Sequence, residues 1–363
     1  MKKHICIILP KLTHGGTERT AAVFANYLAK KEQNVSVILM YKNELHYNLL
    51  PGVRLIQPPD LKKKIGKFLY VPYVVWFIRK NIKKIKPDSV LALGYISLTL
   101  FASMGVSTKV IISGRSSPAR VRFPKNPLLN KIYYAAKNLL RGRVDGVIAQ
   151  TTLAAEKHRK KHHKPVVVIP NFLREITPNS QKRENWIINV GRFSKEKGQE
   201  YLIEAFSKVN APDWKLVLVG DGPAKKLLEK KAEALKIKSR TIFAGFQQDV
   251  DYYLSKSKIY ALPSLIEGFP NSLIEAMANE LAPVCFNCQA GPADIIRHGK
   301  NGLLIKVKDT EAMSQSLQLL IDDSHFRKKI AKRAKLDSAQ YDLEVIGKRY
   351  FDFIITPDEN PSD

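Results

Sequence analysis

Cysteine is scarce in this sequence: Cys6, Cys285 and Cys288 are the three cysteines among 363 residues. Three thiols cannot build a disulfide framework, and their scarcity indicates a reducing compartment. Cys285 and Cys288 form a C-x-x-C pair at the end of an apolar run, and no second Cys or His pair completes a zinc site. We interpret both as thiols of the core or of a loop.

Long hydrophobic runs are also missing. No stretch reaches the ~18 apolar residues of a membrane span. The apolar run that follows the basic tip MKKH is too short for the hydrophobic region of a signal peptide, and we interpret it as a first β-strand. The sequence therefore predicts a protein that is cytoplasmic or peripheral to a membrane.

Acidic residues are few in the first half of the chain. Residues 1–170 contain 31 Lys and Arg against 7 Asp and Glu, a net charge of +24, whereas residues 171–363 carry a net charge of +3. The hydrophobic content of 45% is that of a folded globular protein. Such an uneven charge predicts that the first half faces an anionic partner: nucleic acid, anionic lipid or a phosphorylated substrate.

Apolar β-rich runs alternate with amphipathic segments, which is typical of α/β proteins with parallel sheets. The length favours two domains. A polar stretch at 173–185 separates two series of such units and is interpreted as a linker. We predict domains at 1–172 and 173–345, with 346–363 as a C-terminal helix and tail that could return to the first domain. The predicted strands are HICIILP, NVSVILMY, SVLALG, KVIISG, GVIAQ and VVVIPN, then WIINVG, KLVLVG, RTIFAG, IYALPS and APVCFN.

The loops after the strands carry the candidate site residues, because open α/β sheets bind ligands outside the carboxyl ends of their strands. After the first strand, Gly15 and Gly16 precede Thr17, a predicted N-cap, and Glu18 in the first helical turn. Adjacent glycines allow a ligand to approach the backbone, and a helix N-terminus attracts anions. Glycine can also serve the geometry of a tight turn alone, and the loop has no G-x-G-x-x-G dinucleotide fingerprint.

The second series opens with NVGRFSKEKG, which places Arg192 and Lys197 on the loop between a strand and a helix. Two cations at such a place suit a diphosphate, although a solvated basic loop is the alternative. Two more glycine-bearing loops, LVGDGP and FAGF, follow later strands.

The stretch IEGFPNSLIEA places Glu267 and Glu275 around a predicted helix start at Asn271 and Ser272. The N–H groups of about residues 271–273 are expected to be free, with Glu275 in the first turn. Free N–H groups take an anion, whereas carboxylates accept hydrogen bonds from vicinal hydroxyls. One anion site between two hydroxyl-binding groups describes a nucleotide sugar, with its ribose, diphosphate and hexose.

Together these motifs resemble the retaining glycosyltransferases of family 4, of the bacterial polysaccharide and lipid-linked glycan type. That family has the GT-B fold, two facing Rossmann-like domains with a cleft between them. The resemblance covers essentially the whole chain, and the two glutamates with seven residues between them are specific in combination with the upstream GR…K. The motifs that carry it are GGTER, IPN, NVGRFSKEKG, LVGDGP, ALPSLIEGFPNSLIEAMA and GPADIIRHGKNGLL.

The resemblance implies a role for each matching residue. Glu275 matches the glutamate that grips the ribose hydroxyls, and Glu267 matches the one that contacts the donor hexose. Arg192 and Lys197 match the pair on the diphosphate. Further donor contacts, mostly through the backbone, are implied at Gly15, Gly16, Phe246, Asn271, Ser272 and Leu273.

One position departs from the pattern of many relatives. They carry a His near the acceptor where this chain reads IISGRSSP, with Arg115. Some branches that resemble amino-sugar transferases carry Arg there, so Arg115 stays a candidate catalytic residue. The departure bears on how the sugar is oriented and leaves the donor assignment intact.

The resemblance implies transfer of a hexose or N-acetylhexosamine with retention at the anomeric carbon, by attack on the same face, from a nucleotide sugar that is usually UDP-linked. It implies no metal and no other cofactor. Three other uses of the residues remain: a paired-carboxylate hydrolase, metal binding by Asp249 and Asp251 rather than their use at a helix start, and a non-catalytic nucleotide-sugar-binding protein. A soluble acceptor is the alternative to a membrane-associated, lipid-linked one.

Residues 62–86 are the segment of the basic half that bears on a membrane-associated acceptor. The apolar, aromatic-rich stretch 68–78 is flanked by nine cationic residues. One interpretation is a buried helix with solvated ends. The other is an interfacial segment on the anionic cytoplasmic face of a membrane, with Tyr73 and Trp76 at headgroup depth. Nucleic-acid binding lacks a recognition motif and is not expected.

Overall fold

The computed structural model describes residues 2–357 apart from 14, 115–127, 129–130, 132–134, 136–137, 162 and 178–181. The chain divides into two compact units. The first unit contains the chain up to Phe172 together with the last helix, Leu343–Ile355, and the second contains Leu173–Asp342.

The first unit is a parallel sheet of seven described strands with helices between them. The strand order is β3-β2-β1-β4-β5-β6-β7, and every pair of neighbours is parallel. The elements are β1 His4–Leu9, α1 Gly16–Lys30, β2 Asn34–Leu39, β3 Val53–Ile56, α2 Lys62–Ile85, β4 Ser89–Leu93, α3 Ile96–Ala102, β5 Lys109–Ser113, β6 Gly146–Ala149, α4 Thr152–Arg159 and β7 Val166–Val168.

The second unit repeats this architecture with a parallel sheet of six strands in the order β10-β9-β8-β11-β12-β13. Its elements are β8 Trp186–Val190, α5 Gln199–Ser207, β9 Lys215–Val219, α6 Lys225–Ala234, β10 Thr241–Gly245, α7 Val250–Lys256, β11 Ile259–Leu262, α8 Asn271–Ala278, β12 Ala282–Phe286, α9 Pro292–Ile295, β13 Leu303–Ile305, α10 Thr310–Asp322 and α11 Ser324–Ser338; the chain then enters α12 Leu343–Ile355 in the first unit.

The apolar strands explain why both sheets are covered on both faces. Ile5 and Ile7 of β1 pack into one core cluster of the first unit, whereas Cys6 and Ile8, which alternate with them, pack into another. Strands buried on both faces are nearly continuous in apolar residues, as parallel sheets require. The predicted α/β class is therefore confirmed.

The last helix belongs to the first core. Tyr350 of α12 lies with its ring centroid 5.4 Å from that of Phe24 on α1. The Ser89 hydroxyl donates to the Ile354 carbonyl at 2.8 Å. Side chains from the end of the chain thus complete the packing of the first unit.

Three local predictions differ from the structure. The predicted strands do not include β3 and β13, which are short edge strands of four and three residues. Thr17 is not the N-cap of α1, because the helix already begins at Gly16 and Gly15 occupies the capping position. Glu18 does lie in the first turn, as predicted.

Candidate functional site of the second unit

The candidate site lies at the carboxyl edge of the second sheet, where the strand order reverses. β8 is flanked by β9 on one side and β11 on the other. The crossover connections from the two sides leave a crevice at such a point, and open α/β sheets bind ligands there. The loop after β8 carries Arg192 and Lys197, and the loop after β11 carries Glu267.

Backbone contacts tie these two loops together. The Leu265 N–H donates to the Glu196 carbonyl at 2.9 Å. Gly198 has a φ of +64°, and a Cβ added there would come within 2.1 Å of the Pro263 carbonyl oxygen. Only glycine allows both this left-handed conformation and this close approach.

The loop after β9 supports the same arrangement. Gly220 has a φ of +143°, and a Cβ added there would lie 2.0 Å from the Gly191 carbonyl oxygen. The Phe193 N–H donates to the Asp221 carbonyl at 2.9 Å. The backbone on both sides of Arg192 is therefore held by a neighbouring loop.

Lys197 and Glu267, predicted to contact different parts of the donor, form an ion pair with 2.7 Å between Nζ and Oε1. The Glu267 side chain is 6% exposed and the Lys197 side chain 31% exposed. Arg192 is exposed, and its carbonyl accepts a hydrogen bond from Gln199 at 3.2 Å. The loop thus presents one solvent-facing guanidinium and one ammonium group held by a buried carboxylate.

Helix α8 begins at Asn271, so the predicted helix start is confirmed, but two expectations about it are wrong. Glu275 is the fifth residue of the helix and not part of the first turn. The N–H groups of Asn271 and Leu273 are not free: they donate to the carbonyls of Phe269 and Pro270 at 3.1 and 3.0 Å. The preceding turn accepts these two N–H groups, which the sequence pattern had predicted to be free.

The side chain of Ser272 is positioned by a buried tyrosine. The Tyr260 hydroxyl donates to Ser272 Oγ at 2.6 Å. Burial raises the pKa of Tyr260, so the phenol stays protonated and acts as the donor. Ser272 can then direct its own hydroxyl proton to an anion at the helix start.

Arg174 joins this site, although the sequence pattern had assigned it to a linker. Its guanidinium contacts both oxygens of Asp251, with Nη1 2.6 Å from Oδ2, and its Nε lies 3.5 Å from Glu275 Oε2. Burial opposes the charged form of Arg174, but its hydrogen bond to Asp251 and the nearby Glu275 charge outweigh this and raise its pKa. Burial likewise disfavours ionised Asp251, yet Arg174 and the Thr177 N–H hold the pKa of that carboxyl below its usual value.

The two aspartates of the D-x-D motif have separate structural partners. Asp249 caps α7 by accepting from the Tyr252 N–H at 3.0 Å, as its place at a helix start predicts. Asp251 is engaged by the Arg174 guanidinium. Within the described ranges, no group of three or more His, Cys, Asp or Glu is placed to hold a metal ion.

The remaining predicted site residues lie elsewhere. Phe246 follows β10 and is 63% exposed. Gly15 and Gly16 stand in the first unit, where the Glu18 carboxylate lies against Gly15 so closely that an added Cβ would clash with it. Arg115 lies outside the described residues.

The cysteine pair has no redox signature in this fold. Cys285 and Cys288 are buried and form no disulfide. Burial raises the pKa of Cys288 to about 11 and also raises that of Cys285. Because a thiolate is the reactive form, these thiols are inert members of the core, as expected.

Helix α2 carries the apolar stretch of the basic half. A stripe of four side chains at helical spacing is buried: Tyr70, Val74, Ile78 and Ile82. In contrast, Phe68 is 93% exposed and Trp76 53% exposed, and Lys80 places its ammonium 4.8 Å from the Trp76 ring centre. The buried-helix interpretation therefore holds for one stripe only. Within the described part of the chain, no helix is long and apolar enough to cross a bilayer.

Comparison with known proteins identifies the family. The sequence model described as "Glycosyltransferase Family 4" matches residues 14–174, and that described as "Glycosyl transferases group 1" matches residues 174–337. The chain belongs to the family 4 glycosyltransferases. An uncharacterized glycosyltransferase of Haemophilus influenzae is 29% identical over 351 residues, covering 95% of this chain and 98% of that protein.

Two further relatives extend this picture. The "GalNAc-alpha-(1->4)-GalNAc-alpha-(1->3)-diNAcBac-PP-undecaprenol alpha-1,4-N-acetyl-D-galactosaminyltransferase" of Campylobacter jejuni is 26% identical, covering 96% of this chain and 98% of that protein. The crystal structure of Anabaena HepE, solved with UDP and glucose, superposes with a TM-score of 0.77 at 19% identity, covering 96% of this chain and 98% of that one. The glycosyltransferase has the GT-B fold.

Proposed function

We propose that this glycosyltransferase moves a hexose or N-acetylhexosamine, with retention, from a UDP-sugar to a lipid-linked saccharide at a membrane. The observation that carries the proposal is the set of Arg192, Lys197, Glu267 and Glu275 around the crevice of the second sheet. It combines cations for a diphosphate with buried carboxylates for sugar hydroxyls. The UDP and glucose bound to HepE and the undecaprenol-linked substrate named for the Campylobacter relative support donor and acceptor classes of this kind.

In this proposal each donor group has its own partner. Arg192, Lys197 and the Ser272 hydroxyl take the diphosphate, Glu275 takes the ribose hydroxyls and Glu267 takes the hexose. The backbone near Phe246 contacts the base.

The main task of the protein in this reaction is to stabilise the leaving group. In same-face transfer the acceptor oxygen attacks the anomeric carbon as the bond to the diphosphate breaks, and the departing phosphate oxygen takes the proton of the acceptor hydroxyl. No protein nucleophile is needed. Cations and hydroxyl donors that meet the growing negative charge are worth about 3 kcal/mol each, a factor of roughly 100 to 1,000 in rate. We assign that work to Arg192 and Lys197, with Arg115 on the acceptor side, and no metal ion.

The acceptor side of the proposal rests on the first unit. Its net charge of +24 over residues 1–170 and the exposed aromatics of α2 suit an anionic, cytoplasmic membrane surface. A diphosphate-linked acceptor would be held at such a surface. A soluble acceptor would leave these features without a role.

The test is an incubation of the protein with a panel of nucleotide sugars and a bacterial membrane lipid extract, analysed by mass spectrometry. A lipid whose mass increases by one hexose or N-acetylhexosamine, only with one donor, supports the proposal. An α-linkage formed from an α-configured donor, read by NMR, supports retention. Donor hydrolysis or tight UDP binding without transfer to any acceptor would favour a non-catalytic protein instead.

A further inference from the structure

The Arg174 guanidinium lies between two buried carboxylates. Its Nη2 is 2.5 Å from Asp251 Oδ1, and its Nε is 3.5 Å from Glu275 Oε2. The Asp251 and Glu275 side chains are 4% and 7% exposed, and that of Arg174 is 22% exposed. One cation is thus shared by two buried anions that come from α7 and α8.

Asp251 acts as the anchor of this group. Besides both terminal nitrogens of Arg174, it accepts from the Thr177 N–H at 3.0 Å and from the Asn279 side chain. A two-point contact fixes the plane of a guanidinium, which a lysine ammonium cannot do. Fixing that plane also fixes the position of Nε, which lies 3.5 Å from Glu275 Oε2.

A buried charge cluster of this kind needs a reason beyond stability. Taking ions out of water is costly, and well-packed apolar side chains of similar volume often stabilise a protein equally well. Buried ionised groups in a crevice are therefore candidates for a role in binding. Here Asp251 fixes Arg174, and Arg174 in turn holds the Glu275 carboxylate in one orientation beside the crevice.

We propose that Arg174 is a positioning residue that aims the Glu275 carboxylate at the ribose hydroxyls of the donor and so sets a preference for ribonucleotides over deoxyribonucleotides. This inference rests on the proposed function, because it takes Glu275 to be the ribose-binding group. It adds a residue outside the assigned donor contacts, and it gives Asp251 a role as the anchor of that residue.

The experiment compares the binding of UDP and 2′-deoxy-UDP by calorimetry. A hydrogen bond from a hydroxyl to a carboxylate predicts that the wild type binds UDP about 10- to 100-fold more tightly. In Arg174→Lys the charge remains but the two-point contact with Asp251 is lost, so UDP binding should weaken more than the binding of 2′-deoxy-UDP, which offers Glu275 the 3′-hydroxyl alone. The ratio of the two affinities is expected to fall to within about threefold of one.

Two further variants separate positioning from folding. Asp251→Asn keeps the shape of the anchor and removes its charge, and it should lower the same ratio. Arg327→Lys is the matched control, since Arg327 is also buried in this unit but donates to the backbone carbonyls of Leu320 and Ile321. It should lower the melting temperature and leave the ratio unchanged.

The outcomes distinguish the two levels of the proposal. A wild-type ratio in both Arg174→Lys and Asp251→Asn overturns the positioning role, as does an equal fall in Arg327→Lys. A wild type that binds UDP and 2′-deoxy-UDP equally removes the ribose role of Glu275, and the inference with it, while the diphosphate site stands. A wild type that binds no UDP contradicts the proposed donor itself.

Discussion

Lys197 and Glu267 stand on different loops, yet their side chains meet, with 2.7 Å between Nζ and Oε1. Glu267 is almost fully buried, and this ammonium group is in direct contact with its carboxylate. An arriving diphosphate would compete for the same cation. Donor binding is therefore expected to reorganise the pair, drawing Lys197 toward the phosphates and leaving the Glu267 carboxylate to the hydroxyls of the sugar.

Removing either cation tests the diphosphate assignment. We expect Arg192→Ala and Lys197→Ala each to weaken UDP binding by about tenfold or more, because each change removes a charged hydrogen-bond donor. Calorimetry measures the loss. Lys195→Ala is the matched control, an exposed cation of the same loop that has no assigned role. Wild-type affinity in both Arg192→Ala and Lys197→Ala would remove the assignment.

Glu267 is expected to behave differently from the two cations. Glu267→Ala should leave UDP affinity within about threefold of the wild type and lower the transfer rate by roughly 100-fold or more, because its proposed partner is the hexose. Calorimetry with UDP and a transfer assay with the UDP-sugar separate the two effects. Equal losses in binding and transfer would move Glu267 to the nucleotide.

Transfer is expected to proceed without a divalent metal. Asp249 is occupied as a helix cap and Asp251 by a guanidinium, and the cations of the site supply the positive charge that a metal would supply. Activity should survive excess EDTA, and Asp249→Asn should retain most of it. Loss of turnover in EDTA that manganese restores would show that the D-x-D motif binds a metal after all.

Gly198 is expected to be intolerant of a side chain. Gly198→Ala combines a left-handed conformation, which costs about 1–2 kcal/mol for a residue with a Cβ, with a clash against the Pro263 carbonyl. Gly299→Ala is the control, since Gly299 has a φ of +74° but open space around its Cα. Urea unfolding should show a larger loss for Gly198→Ala, and UDP binding should weaken in that variant alone. Equal losses would mean that the loop can move aside.

Much of the fold could be predicted from the alternation of apolar runs with amphipathic segments, because central parallel strands are nearly continuous in apolar residues. The edge strands β3 and β13 escaped prediction, since three or four residues carry too little pattern. Helix α2 was ambiguous for another reason. Its stretch 68–78 is apolar on both the buried and the exposed sides, so composition could not separate core from surface.

The candidate site was predictable where its residues share a local motif, as the loops with Arg192 and Glu267 do. Arg174 was not, because its partner Asp251 lies 77 residues further along the chain. The backbone turn that uses the N–H groups of Asn271 and Leu273 was equally invisible. A long-range ion pair and a local turn leave no periodic signal in the sequence, and only the folded structure reveals them.

The last prediction concerns docking of the first unit on an anionic membrane. Lys62, Lys63 and Lys64 are exposed at the start of α2, and the exposed aromatic Phe68 follows after a break in the helix at Gly66. Each cation near an anionic surface contributes about 1 kcal/mol. Reversing all three to Glu should therefore lower binding to anionic liposomes by roughly 100-fold or more, measured by flotation, and leave UDP affinity unchanged.

The charge and the aromatic contributions can be told apart by salt. Electrostatic attraction is screened over about 8 Å at physiological ionic strength, so liposome binding should weaken as salt rises. The part that survives should fall in Phe68→Ser, a change that costs the core little because the side chain is 93% exposed. Reversal of three exposed lysines of α11, Lys328, Lys329 and Lys332, is the matched control in the other unit. If that control releases the protein as well as the α2 variant does, docking follows net charge alone. If the wild type does not float with anionic liposomes at low salt, membrane docking is wrong and a soluble acceptor is favoured.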